Sequence, residues 1–333
     1  MTITDAPPGT RPARRRTIGT VLLWLLLLPG LCWTVIRLGG WEGHSPLVPL
    51  LAFTPYVAVG AWVPALIGLL TRRRLPGVVA LLTAVALAAC VLPRALPDLD
   101  KGLSRGVALH VMTSNMLFGG ADAATIVTLV RENDVAVLAV QEFSPGAERS
   151  LAEAGLGDLL PYSQLSPEWG ATGSGLYSRY PLTGTGTRIN QGGFHQAYGV
   201  IQPDGAAPVL VESAHPLAPA GLDLLAGWAG DMAAEPRADP AGTARILLGD
   251  FNSTLDLAPL RTLIASGYRD AADTVGRGLV GTWGPYDGDP IPPVTIDHVL
   301  ADTRIGVQDV TVHNVPRSDH RAVIAGLILP MAS

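Results

Sequence analysis

The sequence predicts an α/β or α+β domain of about 230 residues behind a membrane anchor of three helices. Three observations lead there. Apolar residues crowd the first 95 positions, strand and helix signals alternate from residue 107 onward, and charge divides unevenly between the two parts. Across all 333 residues the hydrophobic share is 48% and the net charge −5, with mean hydropathy +0.32. Those averages describe neither part. Residues 1–100 carry nine Arg against four acids, a balance of +5, while the other 233 carry one Lys and thirteen Arg against 24 acids, a balance of −10. The apolar content excludes a disordered chain, and two cysteines exclude a disulfide scaffold.

Apolar stretches fill 18–36, 47–70 and 77–92. The first two are long enough to cross roughly 30 Å of hydrocarbon as helices, and the third is short by a turn. The first is not a cleavable signal peptide: it is too long, lacks a small-x-small site, and two more apolar runs follow. Arg11, Arg14, Arg15 and Arg16 precede the first run, and Arg72, Arg73 and Arg74 separate the second from the third. The loop 39–46 carries one acid and no Arg or Lys, with Arg37 at its edge. The positive-inside rule therefore puts the N-terminus and the triple-Arg loop in the cytoplasm, and three spans export everything after about residue 95. Cys32 and Cys90 fall inside the expected spans, so the exported part has no thiol chemistry. The expected organisation is a basic cytoplasmic segment over 1–17 and an anchor over 18–95 (spans near 18–38, 47–70 and 77–93). A linker over 96–106 and a domain over 107–330 complete it. The location is a multi-pass cell-membrane one, with the lipid bilayer as a partner and no protein partner legible.

Beyond the linker, 107–112 reads as a strand and 135–140, a continuous apolar run, as a buried one. Residues 121–133 place Ile126, Leu129 and Val130 on one helical face. Further strands are expected over 208–213, 244–248, 294–300, 305–312 and 322–329, and a helix over 259–266 closed by Gly267. The Ala-, Gly- and Pro-rich stretch 217–241 reads as a helix plus a mobile loop.

What ends those strands carries the chemistry. The first runs into Asn115, the second into Gln141 and Glu142, the third into His215, and the fourth into Gly249, Asp250, Phe251 and Asn252. Asp297 and His298 interrupt another, and Ser318, Asp319 and His320 precede the last. Singly, each has an ordinary reading as a turn former, a cap or a loop acid. Polar groups gathered at the ends of buried strands are costly unless a ligand or metal satisfies them. A buried carboxylate at Asp297 is hardest to dismiss.

Asn115, Gln141-Glu142, the Gly-Asp-Phe-Asn of 249–252, Ile296-Asp297 and Ser318-Asp319-His320 together resemble the motif series of the endonuclease/exonuclease/phosphatase superfamily. That group includes deoxyribonucleases, AP endonucleases, neutral sphingomyelinases and inositol-polyphosphate 5-phosphatases. The segment 175–181, Gly-Leu-Tyr-Ser-Arg-Tyr-Pro, and the pair Thr282-Trp283 fit the same series. The resemblance covers roughly 107–329 and leaves the apolar helices out. It implies an α/β two-sheet β-sandwich flanked by helices, with the site at one edge of the sheets, and divalent-metal-dependent hydrolysis of phosphate esters. Carried over, it makes Glu142 the principal Mg²⁺ or Mn²⁺ ligand, with Asn115 beside it and Asp319 near the metal. Asp250 and Asn252 align or deprotonate the attacking water and hold phosphoryl oxygens. His215 contacts phosphate or assists the leaving group, and His320, oriented by Asp297, contacts the scissile phosphate. The choice of general base stays open between Asp250 and a histidine. The chemistry agrees: Mg²⁺ takes hard oxygen ligands and few carboxylates, and a carboxylate-paired histidine suits an anionic phosphate.

Other motifs fail. The run from Gly170 to Gly175 has no following Lys-Ser/Thr, so it is no phosphate loop. Ser174 is not in Gly-x-Ser-x-Gly, and no histidine pair has zinc-helix spacing. The acidity of the exported part disfavours nucleic acid, whose binding draws on Lys and Arg contacts to the backbone. A tethered site favours a lipid headgroup, an envelope phosphodiester or a small phosphate ester. The alternatives are an extracellular nuclease of the same fold and a non-catalytic membrane scaffold.

Overall fold

The structure, a computed structural model, describes residues 11–41, 48–284 and 290–332. The described residues form two compact units, one drawn from 11–41 and 54–91, the other from 48–53, 92–284 and 290–332.

In the first unit the helix Arg11–Gly39 covers the first expected span, and its 24 residues from Arg16 are long and apolar enough to cross a membrane. The second expected span is corrected. The described part of 47–70 breaks into Val48–Leu51, Thr54–Gly60 and Trp62–Leu70, and its apolar portion Thr54–Leu70 falls short of 18 residues. Proline explains the break, because a helix continuing through Pro55 would set its ring against the Leu51 carbonyl. The third run differs the other way. Helix Arg74–Val91 continues into a 3₁₀ turn, Leu92–Ala95, so that Arg74–Ala95 offers 22 apolar residues. By length and composition, two described helices suit a membrane where three spans were expected; Leu47 and the loop before it lie outside the described residues. Leu27, Ala65 and Ala80 form a buried cluster, and Gly68 meets Gly77 so closely that a Cβ at either would strike the other's backbone. Leu22, Leu25, Leu66, Leu70 and Leu82 remain exposed.

The second unit holds twelve strands. They are β1 (Val107–Asn115), β2 (Val137–Gln141), β3 (Tyr162–Ser166), β4 (Ser174–Ser178), β5 (Thr183–Ile189) and β6 (His195–Ile201). They continue with β7 (Val209–Ala214), β8 (Ala244–Asp250), β9 (Tyr268–Asp270), β10 (Asp297–Asp302), β11 (Gly306–Asn314) and β12 (Arg321–Leu329). Two six-stranded sheets result, in the orders β11-β12-β1-β2-β4-β3 and β5-β6-β7-β8-β10-β9. The strand expectations at 107–112, 135–140, 208–213, 244–248, 305–312 and 322–329 all correspond to observed strands. The one at 294–300 starts later, because Val294 bridges to Trp283 instead. Helices Ala123–Glu132 and Ala258–Ile264 stand where helices were expected, and Leu225–Ala234 is the helix within 217–241.

Each sheet has one parallel pair at its centre, β1 with β2 and β7 with β8. The pleat sends alternate residues to opposite faces. Val111, Val137 and Ala139 of the first sheet meet Val211, Ile246, Leu248 and Val299 of the second in the inner core. Met112, Leu138 and Val140 face outward onto Ile126, Val130 and Leu151 of the covering helices. Near one end the inner layer turns polar: Thr113 Oγ1 donates to Gln141 Oε1 at 3.0 Å, and Gln141 Nε2 donates to Ser213 Oγ at 2.9 Å. This stitches β1, β2 and β7 together.

The expected linker over 96–106, with the end of the expected anchor at 93–95, is held along the same unit. Arg94 makes a buried bidentate pair with Asp256 at 2.7 and 2.6 Å, and Asp98 N donates to the Thr274 carbonyl at 2.9 Å.

A second buried charge cluster lies on the β5–β8 sheet. Arg188 Nη2 reaches Glu235 at 2.8 Å and Glu212 at 2.9 Å, Gln196 Nε2 donates to Glu235 at 2.8 Å, and Arg245 pairs with Glu212 at 2.8 Å. Burial pushes the Glu235 carboxyl up to about 7, with Arg188 opposing and Glu212 adding to the rise. The folded state therefore holds this proton more tightly than the unfolded chain does. The associated stability is complete below the ordinary carboxylate range and is lost as pH climbs toward 7. The melting-temperature difference between Glu235→Gln and wild type, measured by calorimetry, is expected to move in the variant's favour from pH 5 to pH 8.

Candidate active site

The two parallel pairs make the site inevitable. Because β1, β2, β7 and β8 run the same way within their pairs, each pair delivers its C-terminal residues to one sheet edge: Asn115 beside Gln141, and Ala214 beside Gly249. Antiparallel neighbours bring their starts to the same edges. Asp297 opens β10 opposite Asp250, and His320 immediately precedes β12, which pairs with β1.

Asn115 joins the two sheets. Its Nδ2 donates to Glu142 Oε1 at 3.2 Å and to Asp250 Oδ2 at 3.0 Å, while its Oδ1 accepts from Leu117 N at 2.9 Å. Glu142 and Asn252 both adopt positive φ, 53° and 47°, a conformation that costs non-glycine residues roughly 1–3 kcal/mol when it is held. Hydrogen bonds hold these loops. Phe118 N, itself at φ 53°, donates to Glu142 Oε2 at 2.7 Å, and Asn252 N donates to Asp250 Oδ1 at 2.8 Å. Asn252 Nδ2 donates to the Pro216 carbonyl at 3.0 Å, fixing the loop after His215.

Two imidazoles face Asp250. His320 Nε2 lies 3.6 Å from Asp250 Oδ2 and His215 Nε2 lies 3.7 Å from the same atom. Behind His320, Asp297 meets Nδ1 with both oxygens, at 3.1 and 3.0 Å, and Thr282 Oγ1 accepts the Asp297 amide at 3.0 Å. Burial opposes a charged His320, but the carboxylates of Asp297 and Asp250 outweigh it and raise the ring's proton affinity. His215 is the opposite case. Burial, then the charge on His320, brings it down to about 3; its ring packs edge-on to Phe194 at 4.7 Å and its Nδ1 has no partner. The two imidazoles of the cavity are thus driven in opposite directions, His320 toward holding its proton and His215 toward losing it. Burial pushes the Asp250 carboxyl up, with Asp297 and Glu142 adding to the rise and His320 resisting it. The Glu142 carboxyl is also raised by burial, against hydrogen bonds from Phe118 and Asn115.

All eight residues singled out in the sequence gather here. Glu142, His215, Asp250, Asn252, Asp319 and His320 line one cavity of about 600 Å³, while Asn115 and Asp297 stand behind them, fully buried. Donor atoms of Asp250, Asp297 and His320 lie within 4.8 Å of one another. Asp297 is committed to His320, so the cavity-lining carboxylates of Glu142 and Asp319 are the better hard donors for a divalent cation, with Asp250 left facing the two imidazoles. Asp319 fits that use, since its Oδ2 accepts from Trp283 Nε1 at 2.9 Å while its Oδ1 is buried without a partner. The sequence reading noted Thr282 and Trp283 only as part of a motif series; their hydrogen bonds place them directly behind Asp297 and Asp319. It missed Phe118 and Phe194, which no spacing rule marks.

A family model described as the endonuclease/exonuclease/phosphatase family matches residues 112–320. No curated protein matches. Among solved structures, an endonuclease/exonuclease/phosphatase from Beutenbergia cavernae DSM 12333 is 22% identical with TM-score 0.53, over 68% of this chain and 72% of that one. Humanized D. rerio TDP2 is 13% identical with TM-score 0.53, over 66% and 98%. Truncated Caenorhabditis elegans TDP2 is 15% identical with TM-score 0.51, over 66% and 97%. At these identities the neighbours speak for the fold alone. The family match spans most of the chain and contains every residue of the site: the protein belongs to the endonuclease/exonuclease/phosphatase family, hydrolases that act on phosphate ester bonds.

Proposed function

We propose that this protein is a membrane-anchored, divalent-metal-dependent phosphoesterase that hydrolyses a phosphodiester or phosphomonoester by in-line attack of water, with its active site on the extracytoplasmic side. The observation that carries the reading is Asp250 facing both imidazoles, at 3.6 and 3.7 Å, above a floor that includes Glu142, Asn252 and Asp319. A scaffold has no need for buried carboxylates crowded against a charged ring, an arrangement that persists only where function repays it.

The roles follow from protonation. His320 already carries its proton, so it serves as a cationic donor to a phosphoryl oxygen, aimed by Asp297. His215 is neutral and offers Nε2 to the same group. Asp250 is left as the base: its raised proton affinity suits it to accept a proton from the attacking water. Asn252 holds a phosphoryl oxygen. Glu142, Asn115 and Asp319 would hold Mg²⁺ or Mn²⁺, which when bound neutralises developing charge on the phosphoryl oxygens.

The anchor reading is supported by two apolar helices of 24 and 22 residues and by the arginines at 14–16 and 72–74. Thr54–Leu70 would be the remaining span, crossing with local thinning of the bilayer. The proposed organisation keeps 1–17 cytoplasmic, 18–95 as the anchor and 107–330 as the catalytic part. Nucleic acid is disfavoured as substrate because no Lys or Arg lines the cavity among the described residues.

The expected outcome with full-length enzyme and bis-(p-nitrophenyl) phosphate is turnover that EDTA abolishes and Mg²⁺ or Mn²⁺ restores; metal-independent turnover would refute the cofactor assignment. Asp250→Ala and His320→Ala should each lower kcat by about 10²–10⁴-fold without lowering Tm below the assay range. Asp297→Asn removes the carboxylate that holds the His320 proton, so the alkaline limb of the pH–rate profile should move to lower pH. A reporter fused after Ser333 should read as extracytoplasmic.

A further inference from the structure

The catalytic cavity has a wall that the reaction does not explain. Most of its lining is hydrocarbon, with Leu117, Phe118, Phe194, Leu257, Ile291 and Val294 among the described lining residues. Pro49, Ala52 and Phe53 complete the lining. These three come from the start of the second apolar run, and 48–53 folds with the catalytic unit rather than with the described helices on either side of it. The segment is fixed: Val48 and Leu51 are fully buried, and Phe53 N closes a turn onto the Leu50 carbonyl at 2.9 Å.

We propose that Phe53, with Pro49 and Ala52, is a specificity wall that receives the hydrocarbon portion of an amphiphilic phosphate ester while its phosphate rests on the polar floor. The inference rests on the phosphoesterase reading and adds the substrate class.

Charge and exposure argue for that occupant. The polar groups of the described lining gather around Asp250, with His320 and His215 at 3.6 and 3.7 Å from it, a single point of contact for one phosphoryl group. A polynucleotide draws its affinity from several Lys and Arg contacts to successive phosphates, and the described lining offers none. Apolar walls around a few convergent polar groups are instead the make-up of a site for a small, partly apolar ligand. At the mouth, Phe118 is 61% exposed and Ile291 44% exposed, although the Phe118 backbone is fixed through its amide to Glu142. Rigidly held apolar side chains at the rim of a polar site gain from being covered by hydrocarbon. Phe53, half-buried on the wall, extends that surface toward the floor.

The test uses full-length protein in lipid nanodiscs and p-nitrophenyl phosphodiesters bearing methyl, butyl or octyl groups, with p-nitrophenyl thymidine phosphate as the nucleotide comparison. Wild-type kcat/KM should rise with chain length and favour octyl over thymidine. Phe53→Ala and Phe53→Asp should reduce the octyl-to-methyl ratio about 10-fold or more, as expected for losing most of one aromatic burial, and Phe53→Leu should restore most of it. A flat wild-type series, a preference for the thymidine ester, or an unchanged ratio in both variants would overturn the proposal. Calorimetry with methyl, butyl and octyl phosphate separates the two readings. Affinity that grows with chain length in wild type but not in Phe53→Asp, with no ester turned over, would fault the enzymatic reading and uphold the wall. Affinity independent of chain length would remove the wall whatever the turnover.

Discussion

One neutral amide stands between two carboxylates at the meeting of the two sheets. Both N–H groups of Asn115 point at acids, one at Glu142 from the end of its own sheet and one at Asp250 from the other. Without that amide the acids would face each other in a buried place, where like charges interact strongly because little water screens them. The rest of the site is organised around this separation. Asp250 keeps one oxygen for Asn115 and the adjacent imidazoles and gives the other to the Asn252 amide. Glu142 gives one oxygen to Phe118. Ser318 Oγ donates to the Asn115 carbonyl at 3.0 Å and accepts the His320 amide at 3.1 Å, so the same residue also sets the approach of the last histidine.

The loops that support this arrangement are strained in a consistent way. Leu117, Phe118, Glu142, Asn252 and Arg317 all have positive φ without being glycine, and all lie just past or just before strands that end at the site. Held backbone of this kind clusters where geometry matters more than local stability. The Thr113, Gln141 and Ser213 side chains lie immediately beneath and bind the sheets to each other, which gives the strained loops a stiff base.

Much of this was legible before any coordinates, and the reasons are physical. Residues at strand ends announce themselves because a polar group following an apolar run has few inexpensive explanations; Asn115, Glu142, Asp250 and Asp297 were found that way. Strands β3 to β6 went unread because they carry no period. All five residues of β4 are buried, and three of them, Ser174, Gly175 and Ser178, are small residues that fit because the Phe143 ring and Val140 press on Gly175 and because Ser174 Oγ accepts the Ala197 amide. Burial there is set by neighbours distant in sequence, not by local apolarity. β5 is an exposed edge of alternating Thr and Gly, which no hydrophobic pattern could mark. Composition likewise made 47–70 look like one apolar helix, because hydropathy does not register what Pro55 does to a backbone. The interruption matters, since it frees the chain around Ala52 and Phe53 to fold with the catalytic unit.

The pairing of Arg94 with Asp256 reaches beyond stability. Asp256 lies on the loop that leaves Asp250 and Asn252, and its guanidinium partner comes from the turn that closes the last apolar helix. A protease cutting between 95 and 106 would therefore separate the catalytic fold from part of its own support. The released fragment would leave behind the guanidinium that braces the Asp250 loop and, with it, the whole of 48–53. A relative built from the same sheets without the apolar helices would have to replace both elements with residues of its own.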